Sequence, residues 1–161
     1  MRFFLIDRVR ELHIGERIVA LKNVTMESAF FDQHFPGMPI LPGVLGMEAL
    51  AQSSGYLISR SVWEKEQRQV LPLFTGVSRA RFVRAIRPGD QLVIEARLQV
   101  LERSLATTQA SGRVDGELAL RAELSFALKE YRGEPEYAAV VQQGEMLRRI
   151  IEGPWDARME E

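Results

Sequence analysis

The chain predicts an α+β domain, with one enclosed central helix and an antiparallel meander folded around it. Two observations carry that expectation. Residues 43–60 form a helix-length run that is apolar on nearly every face, through Val44, Leu45, Met47, Leu50, Tyr56, Leu57 and Ile58. Such a helix normally sits inside other structure. Downstream, loosely alternating strand-like segments are broken by turn chemistry at Pro88-Gly89-Asp90 and by Asp115-Gly116, a two-residue hairpin signal. A sheet wrapped around a buried helix satisfies both patterns.

Taken in order, residues 1–8 place an unbroken run of only four apolar residues before Asp7 and Arg8, too few for a secretory leader. Residues 17–25 are rich in Val, Ile and Leu and fit a strand entered through a turn at Gly15. Residues 30–42 hold Pro36, Gly37, Pro39 and Pro42, which predicts a rigid, irregular loop. The helix over 43–60 follows, then a polar connector over 64–69. Strands are expected over 74–86, 91–101, 105–114 and 117–129, with a reversal at Glu102-Arg103-Ser104. In the tail, Tyr137, Val140, Val141, Leu147, Ile150 and Ile151 fall near one helical stripe over 136–152, which Gly153-Pro154 ends. Gly144 inside that stripe costs about 1 kcal/mol of helix propensity. The expected division is a domain over 1–131 and a C-terminal helical extension over 132–161, packing on the domain or on a partner.

Composition removes several function classes. With 161 residues and 46% apolar content, the chain suits one globular domain with a real core. A formal net charge of −1 gives no bulk attraction to nucleic acid. The absence of cysteine excludes disulfides, thiolate nucleophiles and cysteine-held zinc, and two histidines, His13 and His34, make a poor metal set. The most apolar stretch, 40–58, contains Pro42, Glu48, Gln52 and two serines, so it reads as a buried helix and not as a membrane span. No internal repeat, serine-hydrolase elbow or phosphate-binding glycine loop is present. The expected setting is cytoplasmic.

The informative segment runs from Phe31 to Gln52. Glu48 and Gln52 are four residues apart and share one face of an otherwise apolar helix. A carboxyl in such surroundings favours its neutral form and can serve as a general acid. His34 sits on the proline-stiffened loop, where backbone rigidity positions an imidazole at little entropic cost. An imidazole's ordinary pKa of about 6.5 lets it accept a proton near neutrality. The helix begins at Pro42-Gly43 without a Ser, Thr, Asp or Asn cap, which leaves its first amides unsatisfied by local side chains. Gly43 also permits close approach of another molecule, so this helix start can hold a thioester carbonyl as negative charge develops. Singly, each feature has a bland explanation: a loop histidine is usually at the surface, as His13 is expected to be, and a helical glutamate usually faces solvent.

In combination these residues resemble the (3R)-hydroxyacyl-acyl-carrier-protein dehydratases of type II fatty-acid synthesis, the FabZ type. The matching runs are His34-Phe-Pro-Gly37, Pro42-Gly-Val-Leu45 and Glu48-Ala-Leu-Ala-Gln52. Further likeness lies at Phe4-Leu-Ile-Asp-Arg-Val9, Lys22-Asn-Val-Thr25, Ala80-Arg-Phe82 and Pro88-Gly-Asp-Gln-Leu92, so that the resemblance covers roughly residues 3–129. It implies a hotdog fold, with a long helix gripped by a curled antiparallel sheet. It also implies a homo-oligomer, a dimer or hexamer, with His34 of one subunit facing Glu48 of another. By position, His34 removes the α-proton and Glu48 assists departure of the 3-hydroxyl. The amides at Gly43 and Val44 bind the thioester carbonyl, Gln52 orients the pair, and the Ile40 carbonyl holds the His34 ring. The resemblance implies no metal or organic cofactor, and a partner in acyl carrier protein. Glu48 stands where the related dehydratase-isomerases carry aspartate, which favours simple dehydration, although Gly46 echoes that branch. Gln33 replaces a common glycine, and the segment that usually precedes Phe3-Phe4 is missing, so an edge contact is expected to differ.

Arg79, Arg81, Arg84 and Arg87 fall within nine residues that contain no acidic residue. This stretch is a candidate surface for docking an acidic carrier protein, against the alternative of an ordinary solvated strand face. Two other functions fit the same fold: a hotdog acyl thioesterase, which would direct water at the carbonyl, and a non-catalytic acyl-binding subunit. The joint presence of His34 and Glu48 favours the dehydratase.

Overall fold

The structure is a computed structural model that describes residues 4–27, 31 and 34–153, except for the side chains at 136, 137, 139, 140, 143, 146 and 147. Six strands form one antiparallel sheet: β1 (Arg8–His13), β2 (Arg17–Asn23), β3 (Val70–Phe82), β4 (Gln91–Leu101), β5 (Leu105–Val114) and β6 (Glu117–Glu130). Their spatial order is β1-β2-β4-β5-β6-β3, so β1 and β3 are the edges. Helix α1 (Gly43–Glu66) connects β2 to β3 and packs on one face of the sheet, and α2 (Pro135–Glu152) follows β6.

Alternation along the strands decides which face the helix covers. In β5, Ala106, Thr108, Ala110, Gly112 and Val114 are buried while their neighbours are more exposed, and β6 and β4 repeat the pattern. Leu50, Leu57, Ile58 and Val62 of α1 are fully enclosed with Ile18, Leu92 and Ile94 of the sheet. Each such side chain stabilises the fold by roughly 1.5–3 kcal/mol relative to exposure. Small residues let the two layers approach. A methyl group at Gly46 would lie 3.0 Å from Leu120, and one at Gly112 would lie 2.7 Å from Leu120 and 2.8 Å from Leu92.

Three buried serines on α1 face protein. The Thr108 hydroxyl donates to Ser54 Oγ at 2.9 Å, the Gly15 amide donates to Ser61 Oγ at 2.8 Å, and Ser53 donates to the Ala49 carbonyl. Buried polar groups are tolerated because these partners satisfy them.

The central helix and the meander match the expected α+β class. Asp115 and Gly116 both take positive φ, 52° and 81°, as a tight hairpin turn requires. The boundaries differ in instructive ways. α1 continues six residues past 60, because Arg60 and Glu64 pair at 2.9 Å and Gln67 closes the helix in the left-handed region, its amide on the Trp63 carbonyl. Of the polar stretch expected as a connector over 64–69, residues 64–66 are the exposed last turn of α1, and residues 67–69 lead into β3. β3 begins at Val70, earlier than expected, and ends at Phe82, since an edge strand tolerates Pro72. β1 was not expected at all; it is short, mostly charged and paired only with β2. Pro154 lies outside the described residues, as do Phe3, Phe30, Asp32, Gln33 and the side chains of Tyr137, Val140 and Leu147. Among the described residues, no helix is long and apolar enough to cross a membrane.

Candidate active site

Glu48 lies in the second turn of α1, half-buried, on the stripe that continues through Gln52 and Tyr56. Gln52 bridges two neighbours: its amide nitrogen donates to Glu48 Oε1 at 2.9 Å, and its Oε1 accepts the Leu5 amide at 2.7 Å. The bridge therefore ties the carboxyl's orientation to the segment that precedes β1. Glu48 opens onto a cavity of about 260 Å³ whose apolar walls include Phe4, Pro72, Phe74 and Phe126.

The helix start has the expected character. Pro42 precedes α1 with no side-chain cap, and the first amides to bond back to its carbonyl are those of Leu45 and Gly46. Gly43 and Val44 are exposed. Gly43 borders a second cavity of about 350 Å³, beside Pro42, Gly46, Phe82 and Leu120. A Cβ at position 43 would stand 3.0 Å from the Phe82 ring, so glycine also makes room for this wall.

His34 is half-buried and its ring stacks on Phe35, with centroids 4.3 Å apart. The loop is held by backbone bonds. Phe35 and Met38 exchange amide-to-carbonyl bonds, and the Leu41 amide donates to the Ile86 carbonyl at 2.7 Å. The link between Ile40 and His34 runs along the backbone, the Ile40 amide donating to the His34 carbonyl at 3.1 Å. Within one chain, Gly43 and Glu48 face different cavities, and His34 lines neither of them.

The arginine stretch is less free than its sequence suggests, because β6 and the hairpin turn bring acids to it. Arg79 pairs with Glu123 at 2.7 Å, and Arg84 pairs with Glu117 at 2.9 Å and with Asp115 at 3.8 Å. Arg81 and Arg87 are exposed.

Sequence reasoning treated Tyr56 as one more apolar helix residue. It lines the Glu48 cavity and donates its hydroxyl to Glu152 at 2.5 Å. Burial, and then the Glu152 carboxylate, push the phenol well above its usual value. The i, i+4, i+8 spacing of Glu48, Gln52 and Tyr56 was the available signal, while Glu152, 96 positions away, left none.

Comparison with known proteins places this geometry. Residues 1–123 match the FabA-like domain model. A 3-hydroxyacyl-[acyl-carrier-protein] dehydratase FabZ of Aromatoleum aromaticum is 45% identical over 127 residues, 79% of this chain and 88% of that protein. The enzyme of the same name from Bacillus pumilus is 42% identical, over 78% of this chain and 85% of that protein. Among solved structures, the dehydratase heterocomplex ApeI:P of Xenorhabdus doucetiae aligns with a TM-score of 0.67 at 16% identity, covering 86% of this chain and 90% of that one. The protein smu.793 of Streptococcus mutans, bound to acetyl CoA, aligns at 0.62 and 15%, covering 82% and 95%. At such identities the structures speak for the fold alone, which is the hotdog arrangement of a long helix against an antiparallel sheet. Sequence identity speaks for the family: the chain belongs to the FabA-like domain family, among the FabZ-type 3-hydroxyacyl-[acyl-carrier-protein] dehydratases.

Proposed function

We propose that this chain dehydrates (3R)-hydroxyacyl-acyl-carrier-protein thioesters to trans-2-enoyl thioesters in fatty-acid biosynthesis, with each active site shared between two copies. The dehydratase activity follows from 45% identity to a curated FabZ enzyme over most of the chain. The observation that carries the shared site is the bridged Glu48 carboxyl, which opens onto an apolar cavity that His34 of the same chain does not line. A second copy supplies the missing imidazole.

In this reading His34 takes the proton from C2 of the substrate, the C2–C3 double bond forms, and the C3–O bond breaks. Glu48 delivers its proton to the departing hydroxyl, which leaves as water. Gln52 occupies Oε1 of Glu48 and turns the other oxygen toward the substrate. The Gly43 and Val44 amides of the copy that supplies His34, at the uncapped positive end of its α1, hold the thioester oxygen as charge builds on it. One such donor typically supplies roughly 3–4 kcal/mol in the transition state. Arg81 and Arg87, with Arg79 and Arg84 behind their ion pairs, steer the acidic carrier. The assembly is a cytoplasmic homodimer or a hexamer built from dimers, residues 1–131 form the catalytic domain, and residues 132–161 extend it.

Incubation with a 3-hydroxybutyryl carrier thioester is expected to yield the enoyl product. His34→Ala and Glu48→Gln should each lower turnover by at least about 10²-fold with the fold intact. Co-refolding the two inactive variants should recover up to about a quarter of wild-type activity, since mixed dimers rebuild one intact site. Retained activity in either variant rejects that residue's role, and no recovery on mixing rejects the shared site.

A further inference from the structure

The C-terminal helix lies beyond the matched family region, which ends at residue 123, and it contacts Tyr56, a wall of the cavity that holds Glu48. Three contacts anchor its last turn. Ile151 is 2% exposed, Glu152 accepts the Tyr56 hydroxyl, and the Arg60 guanidinium stands 3.7 Å from Glu152. Arg60 itself is held by Glu64 on α1. Glu48, Gln52, Tyr56 and Ser59 all line the cavity, so it runs along α1 with the carboxyl at one end and Tyr56 and Ser59 toward the other.

We propose that α2 sets the acyl-chain length limit of the enzyme: Glu152 clamps Tyr56 across the end of the cavity remote from Glu48. The proposal rests on the dehydratase reading above and adds what bounds its substrate. Eight residues of helix separate Glu48 from Tyr56 by about 12 Å along the axis. An extended chain advances a little over 1 Å per bond, so an alkyl chain with C3 at Glu48 meets Tyr56 after roughly ten bonds. Substrates longer than about a dozen carbons therefore have to displace the phenol. Glu152 touches no substrate; it is a positioning residue that acts through Tyr56. The phenol is protonated across the neutral range and so remains a donor to Glu152.

The test measures kcat/KM for 3-hydroxyacyl carrier thioesters from about four to about sixteen carbons, using the full chain. Wild type is expected to fall off beyond about a dozen carbons. Tyr56→Ala should raise the long-to-short ratio at least roughly tenfold, the scale set by one or two methylenes in an apolar pocket. Glu152→Ala should move the ratio the same way, and Glu152→Gln, which keeps an acceptor, should restore it. In a Tyr56→Phe background, Glu152→Ala should add no further change, because the clamp is already gone. An unchanged ratio in Tyr56→Ala and Glu152→Ala overturns the proposal, as does an equal loss at every length. If wild type dehydrates no thioester of any length, the dehydratase reading fails by itself. The clamp is then judged by calorimetric affinity for saturated acyl-pantetheines of the same lengths, and a length limit unmoved by Tyr56→Ala defeats it.

Discussion

Gln52→Leu removes both halves of the bridge between the Glu48 carboxyl and the Leu5 amide, at 2.9 and 2.7 Å, with different consequences for each half. On the Leu5 side, a largely buried N–H loses its acceptor, a desolvation cost of about 1–3 kcal/mol. For a domain of this size that lowers the melting temperature by roughly 2–4 °C per kcal/mol. On the Glu48 side, a hydrogen bond to an ionisable group worth roughly 1.5–3 kcal/mol disappears, which predicts a fall in kcat of about 10- to 150-fold. Gln52→Glu separates the two effects. Its carboxylate still accepts the Leu5 amide, so more of the stability should remain. It also sets a second carboxyl about 3 Å from Glu48, where a pair of carboxyls shares one proton, and this should distort the acid limb of the pH–rate profile. Single-turnover dehydration assays beside thermal unfolding measure both. A Gln52→Leu enzyme with wild-type kcat and reduced stability would refute the orienting role and leave Gln52 as a tether for the chain before β1.

Three other expectations concern separate parts of the molecule. The Tyr56 phenol titrates above its unfolded value of about 10, so its stabilising contribution is whole below that pH and is lost as pH rises through the folded value. Denaturant unfolding above pH 10 should therefore show stability falling more steeply in wild type than in Tyr56→Phe, and parallel slopes would contradict this. Charge reversal at Arg81 and Arg87 should raise KM for carrier-bound substrate by about tenfold at low salt and spare a pantetheine thioester; equal losses on both substrates would remove the docking role. Gly112→Ala drives a methyl group into Leu92 and Leu120, both enclosed, and should cost about 1–3 kcal/mol of stability by chemical denaturation.

The parts of the fold that sequence made legible are those governed by local rules. A helix apolar on most sides, the Asp115-Gly116 turn and the alternation of β4 to β6 each depend on neighbours a few residues away. β1 escaped because its charges suit an exposed edge and a register shift between Val9 and Glu11 breaks the two-residue alternation. The end of α1 escaped because polar residues there are held by one another and not by the core. Of the proposed site, residue types alone singled out His34, Glu48 and Gln52, whereas the Tyr56–Glu152 contact spans 96 positions and has no local trace. The ion pairs of the arginine stretch likewise have no local trace. Its nearest acids, Glu117 and Glu123, arrive from β6 through strand pairing.

The buried serines bear on how α1 is set in place. A cylinder greasy on all sides gains about the same from burial at many angles of roll, so oil-like attraction alone is a poor dial for which residues point where. Ser54 on Thr108 and Ser61 on the Gly15 amide act as two dowels, one into the sheet and one into the β1–β2 turn. Together they fix both the roll and the axial seating of α1. The bearing of Glu48 is thus decided by hydroxyls six and thirteen residues further along the same rod, and trading the Ser54–Thr108 pair for alkyl groups of equal shape, though cheap in stability, would leave that bearing free to wander.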